Sequence, residues 1–370
     1  MLTLPEVQHG PVQDSPVHNS FDEEKLLVYR ELYYDGFSSI IAARDLTSGA
    51  AVSVKKVEFN FMKPSPFPVR YLQKLFAKKI RKQAEQMRSL SHSSLLKVME
   101  FVVEPKRTIV VTEMCMFGDM FNWMLQQAQL RVRDICLVIQ YVFQALRYLH
   151  SQDYVHGHLM PTHILFQSMS PQSVTIMPDL SVRSELIDMT IKSPPVIDCW
   201  APELIKQFIE HQKQLPVEIS DKKISIERTK AMDVWSAGVI AHLALTGRPP
   251  FQASGLQNTL DEIESFGGDL KHPIIQTLSP TVQESLKKFL CVDSTKRAVA
   301  DYGAEPLWFD DELTRLDNRN FLITTEYDLM HSCRRYRQQG RDVFEHVFCP
   351  NSTVSDPLAT NLVRECESIK

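Results

Sequence analysis

The chain has 370 residues, 44% hydrophobic content and a formal charge of −4. This is enough for one large two-lobed domain or two ordinary domains, and so small a net charge argues against general nucleic-acid or membrane-surface binding. No apolar run approaches the roughly 18–20 residues that a membrane helix needs.

In chain order, residues 1–24 lack a basic start followed by an apolar stretch, so they read as a disordered leader rather than a signal peptide. Between residues 26 and 57, LLVYREL, SSIIAARDL and AAVSVKKV alternate as strands do. The Thr47-Ser48-Gly49 turn joins the last two into an antiparallel meander. After the proline-rich KPSPFPV, the segment RYLQKLFAKKIRKQAEQMRSL reads as one long helix, followed by strands near LLKVMEFVVE and RTIVVTEM. From about residue 119 the pattern turns helical, with MFNWMLQQ, RDICLVIQYVFQALRYLH and AMDVWSAGVIAHLALTG. The last is apolar enough to be buried on all sides. A polar stretch at about 205–231 reads as an inserted surface segment, and residues 310–370 as a C-terminal extension. The predicted class is α+β and bilobal. Residues 25–114 form a small lobe of five antiparallel strands plus one helix, and 115–309 a larger, mainly helical lobe.

Seven cysteines stand singly with no CxxC pair, which suits reduced thiols in the cytoplasm or also the nucleus. The stretch 154–166, YVHGHLMPTHILF, places His156, His158 and His163 close together, with His150 just upstream. Histidine is the commonest metal ligand among side chains. A metal site would need His158 and His163 to converge with further ligands nearby, and no cysteine has a suitable spacing. We read these histidines as replacements within another motif and expect no metal site.

That motif resembles one of the protein kinase family, and the resemblance runs from about residue 26 to about 309. Val52-Ser53-Val54-Lys55 stands where kinases have V-A-I-K. Glu113-Met114-Cys115 resembles the hinge, with Thr112 before it and Gly118-Asp119 after it. Ala201-Pro202-Glu203 matches A-P-E, Asp233 to Gly238 matches D-x-W-S-x-G, and Arg297 sits where kinases place the arginine that pairs with that glutamate. The histidine segment then corresponds to H-R-D-L-K-P-x-N-I-L. Gly157 replaces the arginine, His158 the catalytic aspartate, Met160 the lysine and His163 the metal-binding asparagine. His156 keeps a structural role near Asp233.

The family resemblance lets each part of the phosphoryl-transfer machinery be checked. The glycine-loop positions are Tyr33, Asp35 and Ser38, so all three glycines are gone. Lys55 is present and could touch the α- and β-phosphates of ATP, but its helix partner is Gln83 instead of glutamate. The D-F-G segment corresponds to Pro178-Asp179-Leu180, in a register that leaves Asp179 either displaced by one residue or a true metal ligand. His163 offers an imidazole, which suits zinc and copper better than magnesium. The nucleotide site expected from the resemblance is Lys55, Gln83, Thr112, Glu113 and Cys115, with ATP as ligand and magnesium not required.

With so many parts altered together, the chain is expected to be catalytically inactive, a pseudokinase. The segment T-H-I-L-F and the segment DLSVRSELIDM resemble the STRAD group of pseudokinase adaptors. That resemblance implies an adaptor that activates a partner serine/threonine protein kinase allosterically, with no nucleic acid and no membrane among its partners. STRAD-type tails bind an armadillo-like scaffold through Trp-Glu-Phe, whereas this chain ends ECESIK, so that partner stays open. The alternative is a weakly active or unconventional serine/threonine kinase with His158 as general base and Asp179 as sole metal ligand. In the extension, RRYRQQGR reads as a solvated helix face or a docking site for acidic partners, and Tyr327, Phe344 and Phe348 as aromatics that fold back or bind a partner.

Overall fold

The computed structural model describes residues 21–34, 38–58, 89–104, 107–127, 130–177, 197–213, 228–252, 255–265, 270, 272–309 and 328–336. Strands β1 (Leu26–Tyr34), β2 (Ser38–Asp45), β3 (Ala51–Glu58), β4 (Val98–Val103) and β5 (Arg107–Glu113) pair antiparallel in the order β1-β2-β3-β5-β4. Strand alternation sorts their side chains. Val52 and Val54 join Ala43, Val102, Ile109 and Val111 in a small core, while Ser53 and Lys55 take the opposite face of β3. Each fully buried valine or isoleucine stabilises by about 1.5–3 kcal/mol. That outweighs the Arg107 ion pairs with Glu104 and Glu23 at the sheet's end, where exposed pairs contribute about 0–1 kcal/mol. The turn after β2 is fixed by the Asp45 carboxylate, which accepts from Thr47 N at 2.9 Å and from Ser48 Oγ at 2.6 Å.

Two sequence expectations change here. Residues 21–24, placed in the disordered leader, are ordered: Phe21 packs into the sheet core and its N–H donates to Glu104 Oε1 at 3.0 Å. The polar insert expected from about 205 begins as helix, because Ile205 and Phe208 turn apolar side chains into the large-lobe core. The long helix expected at 70–90 lies, apart from its last two residues, outside the described ones.

The large lobe contains α1 (Met120–Gln126), α2 (Val132–Ser151), β6 (Ile164–Phe166), β7 (Val174–Ile176), α3 (Pro202–Lys213) and α4 (Lys230–Thr246). It continues with α5 (Leu256–Ser265), α6 (Pro273–Thr277), α7 (Pro280–Phe289), α8 (Ala300–Ala304) and a last helix, α9, over residues 328–336. Helix α2 buries Ile135, Val138, Ile139, Val142, Leu146 and Leu149, an apolar stripe at three- and four-residue spacing. Helix α4 is different: every residue from Met232 to Thr246 is buried, as its all-round apolar sequence predicts. It ends at Gly247, whose φ of +79° and N–H bond to Leu243 O at 2.7 Å make a left-handed cap.

Helix α9 folds back onto this lobe. Leu329, Cys333 and Tyr336 enter its core, and Arg335 is half-buried. The described part of the basic run is therefore only partly solvated, with Arg334 outward. Tyr327, Arg337, Arg341, Phe344 and Phe348 lie outside the described residues.

Candidate active site

The site forms where the loop after α2 meets the first turn of α4. Asp233 is 1% exposed and accepts three hydrogen bonds there. Its Oδ2 takes His156 N and His150 Nε2, each at 2.9 Å, and its Oδ1 takes Gly157 N at 2.7 Å. A buried carboxylate is costly unless its oxygens are occupied by donors. Satisfying Asp233 therefore fixes the backbone of the loop one residue before His158. The sequence placed His156 near Asp233; its role in the fold is to keep that loop and β7 together. The ring Nε2 lies 3.1 Å from Met177 O, while Nδ1 accepts from His158 N at 3.3 Å. A carbonyl can only accept and an amide N–H can only donate, so this ring is the neutral tautomer with its proton on Nε2.

His158 and His163 are both buried. His163 Nδ1 donates to His158 O at 2.7 Å, and the two rings meet edge to face at 5.5 Å between centroids. His163 also closes the loop through its backbone, which accepts from Met177 N at 2.8 Å and donates to Met160 O at 2.9 Å. Met160 packs partly buried against the large-lobe core, so the lysine position carries a thioether with no charge to offer phosphate. Among the described residues, no group of three or more His, Cys, Asp or Glu is arranged to hold a metal ion. Magnesium prefers oxygen ligands, and His163 presents nitrogen, one of whose ring atoms is already bonded to a carbonyl. The described residues do not fit a magnesium ion.

The nucleotide side is built by the sheet. Lys55 pairs with Val110 and Ser53 with Thr112 across β3 and β5, so the half-buried lysine shares a face with Thr112. Glu113 ties β5 to the segment before β4: its N–H donates to Lys97 O at 3.2 Å and its Oε1 accepts from Lys97 N at 3.0 Å. Cys115 reaches across to the other lobe, with Sγ 3.6 Å from Thr175 Oγ1 on β7. Burial pushes the Cys115 thiol up to about 11, so it stays protonated at neutral pH. Beyond it, Phe117 N donates to Phe166 O and Phe166 N to Gly118 O, both at 3.0 Å, and Asp119 caps α1 at Asn122 N, 3.0 Å away.

Lys55 and Thr112 thus share one face of the sheet, Glu113 and Cys115 end and follow β5, and His158, Met160 and His163 lie in the segment between α2 and β6. Gln83, Pro178 and Asp179 lie outside the described residues. The A-P-E glutamate meets the arginine that the sequence assigned to it. Arg297 Nη1 and Nη2 bond Glu203 Oε1 and Oε2 at 2.6 and 3.0 Å, and the guanidinium also lies 5.0 Å from the Trp235 ring centre.

Two contacts went unread in the sequence. Arg228 Nη1 donates to Gly157 O, and Arg335 bonds Asp198. No motif marks either arginine; the glycine at 157 was the one visible sign of the first.

Residues 35–309 match the family model described as "Protein kinase domain". Among curated proteins, the chain is 24% identical over 252 residues to "Calcium/calmodulin-dependent protein kinase type 1" of Macrobrachium nipponense, covering 68% of each. It is 22% identical over 330 residues to "Calcium-dependent protein kinase 4" of Plasmodium falciparum, covering 83% of this chain and 56% of that protein. It is 26% identical over 247 residues to "Carbon catabolite-derepressing protein kinase" of Secale cereale, covering 66% of this chain and 43% of that protein. The chain thus spans about half the length of the last two. A crystal structure of Rad53 in complex with AMP-PNP shares the fold, with a TM-score of 0.57 at 18% identity over 77% of this chain and 65% of that one.

These relatives are named as protein kinases, and that finding overturns the expectation of a catalytically inactive adaptor and of a chain that is not an enzyme. The alternative drawn from the same letters, an unconventional serine/threonine kinase, agrees better with these relatives. The loop backbone is still held by Asp233, and an imidazole at 158 is itself able to accept a proton.

Proposed function

Because the chain belongs to the protein kinase domain family, we propose that it transfers the γ-phosphoryl group of ATP to a serine or threonine hydroxyl, with His158 as general base. The hydroxyl oxygen forms the new P–O bond, its proton passes to the His158 imidazole, and the bond to the β-phosphate breaks to release ADP. Phosphoryl transfer asks a protein mainly for positioning and charge. Lys55, on the sheet face beside Thr112, supplies a cation for the α- and β-phosphates. The observation that carries the reading is the anchoring of His158: the residue before it is bonded to Asp233 and its own carbonyl holds His163. Nucleotide binding is proposed not to require magnesium.

The site of action belongs with this reading. The five described cysteines are free thiols, which supports a reducing compartment such as the cytoplasm.

The test is transfer of labelled γ-phosphate from ATP to dephosphorylated casein by the full chain and two variants. His158→Asn cannot accept a proton and is expected to lose about 10²–10⁴-fold in rate, while His158→Asp restores a base and recovers activity. Wild-type transfer unchanged in His158→Asn would sink the assignment of the base, and no transfer by the wild type would sink the reading as a whole.

A further inference from the structure

Four successive backbone groups lead through the proposed base, and each is held by a different side chain. Gly157 N donates to Asp233 Oδ1 at 2.7 Å, and Gly157 O accepts from Arg228 Nη1. His158 N donates to His156 Nδ1 at 3.3 Å, and His158 O accepts from His163 Nδ1 at 2.7 Å. Asp233, His156 and His163 stand at motif positions that the sequence displays. Arg228 stands at none: it comes near the end of the polar stretch at about 205–231 that reads as a surface insert.

The peptide between Gly157 and His158 depends on that arginine. Gly157 has φ of +75°, and a glycine turns about its own bonds at little steric cost, so the residue itself resists a flip of this peptide weakly. The peptide's N–H end is tied by the 3.3 Å bond to His156, longer than the 2.7 Å bonds on either side. Its carbonyl end therefore decides the orientation. Arg228 is half-buried where it meets that carbonyl, and a hydrogen bond shielded from water is the stronger for it.

A second cation reaches the same loop and does much less. Lys230, which opens α4, lies with Nζ 2.8 Å from Oδ1 of Asp153, the loop's other left-handed residue at φ +53°. The lysine and aspartate side chains are 47% and 92% exposed, where an ion pair contributes little. Lys230 is a surface tie, whereas Arg228 bonds the residue next to His158. Filling space above Gly157 is a separate effect, since a Cβ there would come within 2.6 Å of Arg228 Cδ. Methionine at 228 separates the two effects, because it keeps an unbranched stem and loses the donor.

We propose that Arg228 is a positioning residue for phosphoryl transfer: its guanidinium locks the Gly157–His158 peptide and so fixes the direction in which the His158 imidazole meets the acceptor hydroxyl. Arg228 acts through His158 and touches no substrate. The proposal rests on the reading of His158 as general base for its activity arm, but not for its structural arm.

The test uses the full chain as wild type, Arg228→Met, Arg228→Lys and Lys230→Ala. Arg228→Met is expected to lower kcat for dephosphorylated casein by ~10-fold or more while KM for ATP stays within about twofold, since misplacing a reacting group costs rate without touching the nucleotide. Arg228→Lys still offers a charged donor to a single carbonyl oxygen and is expected to recover most of that loss. Lys230→Ala should stay within about twofold of the wild type. Backbone hydrogen exchange at Gly157 and His158 is expected to quicken by ~10-fold or more in Arg228→Met, with helix α4 unchanged. Wild-type kcat in Arg228→Met, no recovery in Arg228→Lys, an equal rise in both KM values, or exchange that quickens evenly across the large lobe would overturn the proposal. A wild type without phosphotransfer removes the reading of the base, and exchange at Gly157 and His158 then decides by itself whether Arg228 holds the peptide.

Discussion

The Arg228 side chain occupies the space that a side chain on Gly157 would need. A Cβ at Gly157 would come within 2.6 Å of Arg228 Cδ, and Gly157 has φ of +75°, a left-handed conformation that costs other residues energy. Where kinases carry an arginine on the loop itself, this chain brings a guanidinium to the same loop from just before α4, bonded to Gly157 O. The glycine and the remote arginine are one arrangement.

Gly157→Ala is therefore expected to lose about 1–3 kcal/mol from backbone strain and the clash together. In the Arg228→Ala background the clash disappears and only the strain remains. Urea unfolding of the two single variants and the double variant should show a coupling of about 0.5–3 kcal/mol. Strictly additive losses would separate the two residues.

ATP is expected to raise the melting temperature of the full chain, since a ligand of the folded state stabilises it by mass action. The rise should be the same with magnesium and with EDTA, because the described residues near His163 offer no oxygen cage for the ion. Lys55→Ala should abolish most of it. A rise seen only with magnesium would show that residues such as Asp179 complete a metal site after all.

Breaking the pair of buried Arg297 and half-buried Glu203 should be the most costly of these changes. Arg297 has a fully buried side chain and also bonds Ala231 O at 2.8 Å and Cys291 O at 2.9 Å. Arg297→Ala is expected to destabilise by about 3–5 kcal/mol, and Arg297→Lys by most of that, because a point charge cannot reach both carboxylate oxygens and the two carbonyls. Denaturant midpoints measure both, and a tolerated lysine would contradict the geometry.

Cys115 should resist alkylation. With the thiol pushed up to about 11, the thiolate fraction at pH 7.5 is on the order of 10⁻³–10⁻⁴. Labelling by N-ethylmaleimide, followed by peptide mapping, should leave Cys115 well behind the half-exposed Cys291 and should accelerate steadily toward pH 11. Equal labelling at pH 7.5 would mean that the interlobe region opens more than its contacts indicate.

Much of the frame was legible in the sequence because its cues are local or belong to known spacings. Alternation in AAVSVKKV put Val52 and Val54 on one face and Lys55 on the other, as the sheet does. Spacing linked Glu203 to Arg297 across 94 positions, because family order stood in for distance. Arg228–Gly157 and Arg335–Asp198 span 71 and 137 positions with no motif to announce them, so only folded geometry reveals them. Burial misled at Phe21 and at Ile205, where polar neighbours in sequence hid apolar side chains that packing selects.

The stitching after Cys115 has a mechanical consequence. Phe117 and Gly118 are fastened to Phe166, and Leu96 to Ile176 O at 3.0 Å, so the segments before β4 and after β5 are each clamped to the large lobe. Between these two clamps, among the described residues, lie Lys97 and residues 113–116. The doubly bonded Lys97–Glu113 contact makes a short axle there.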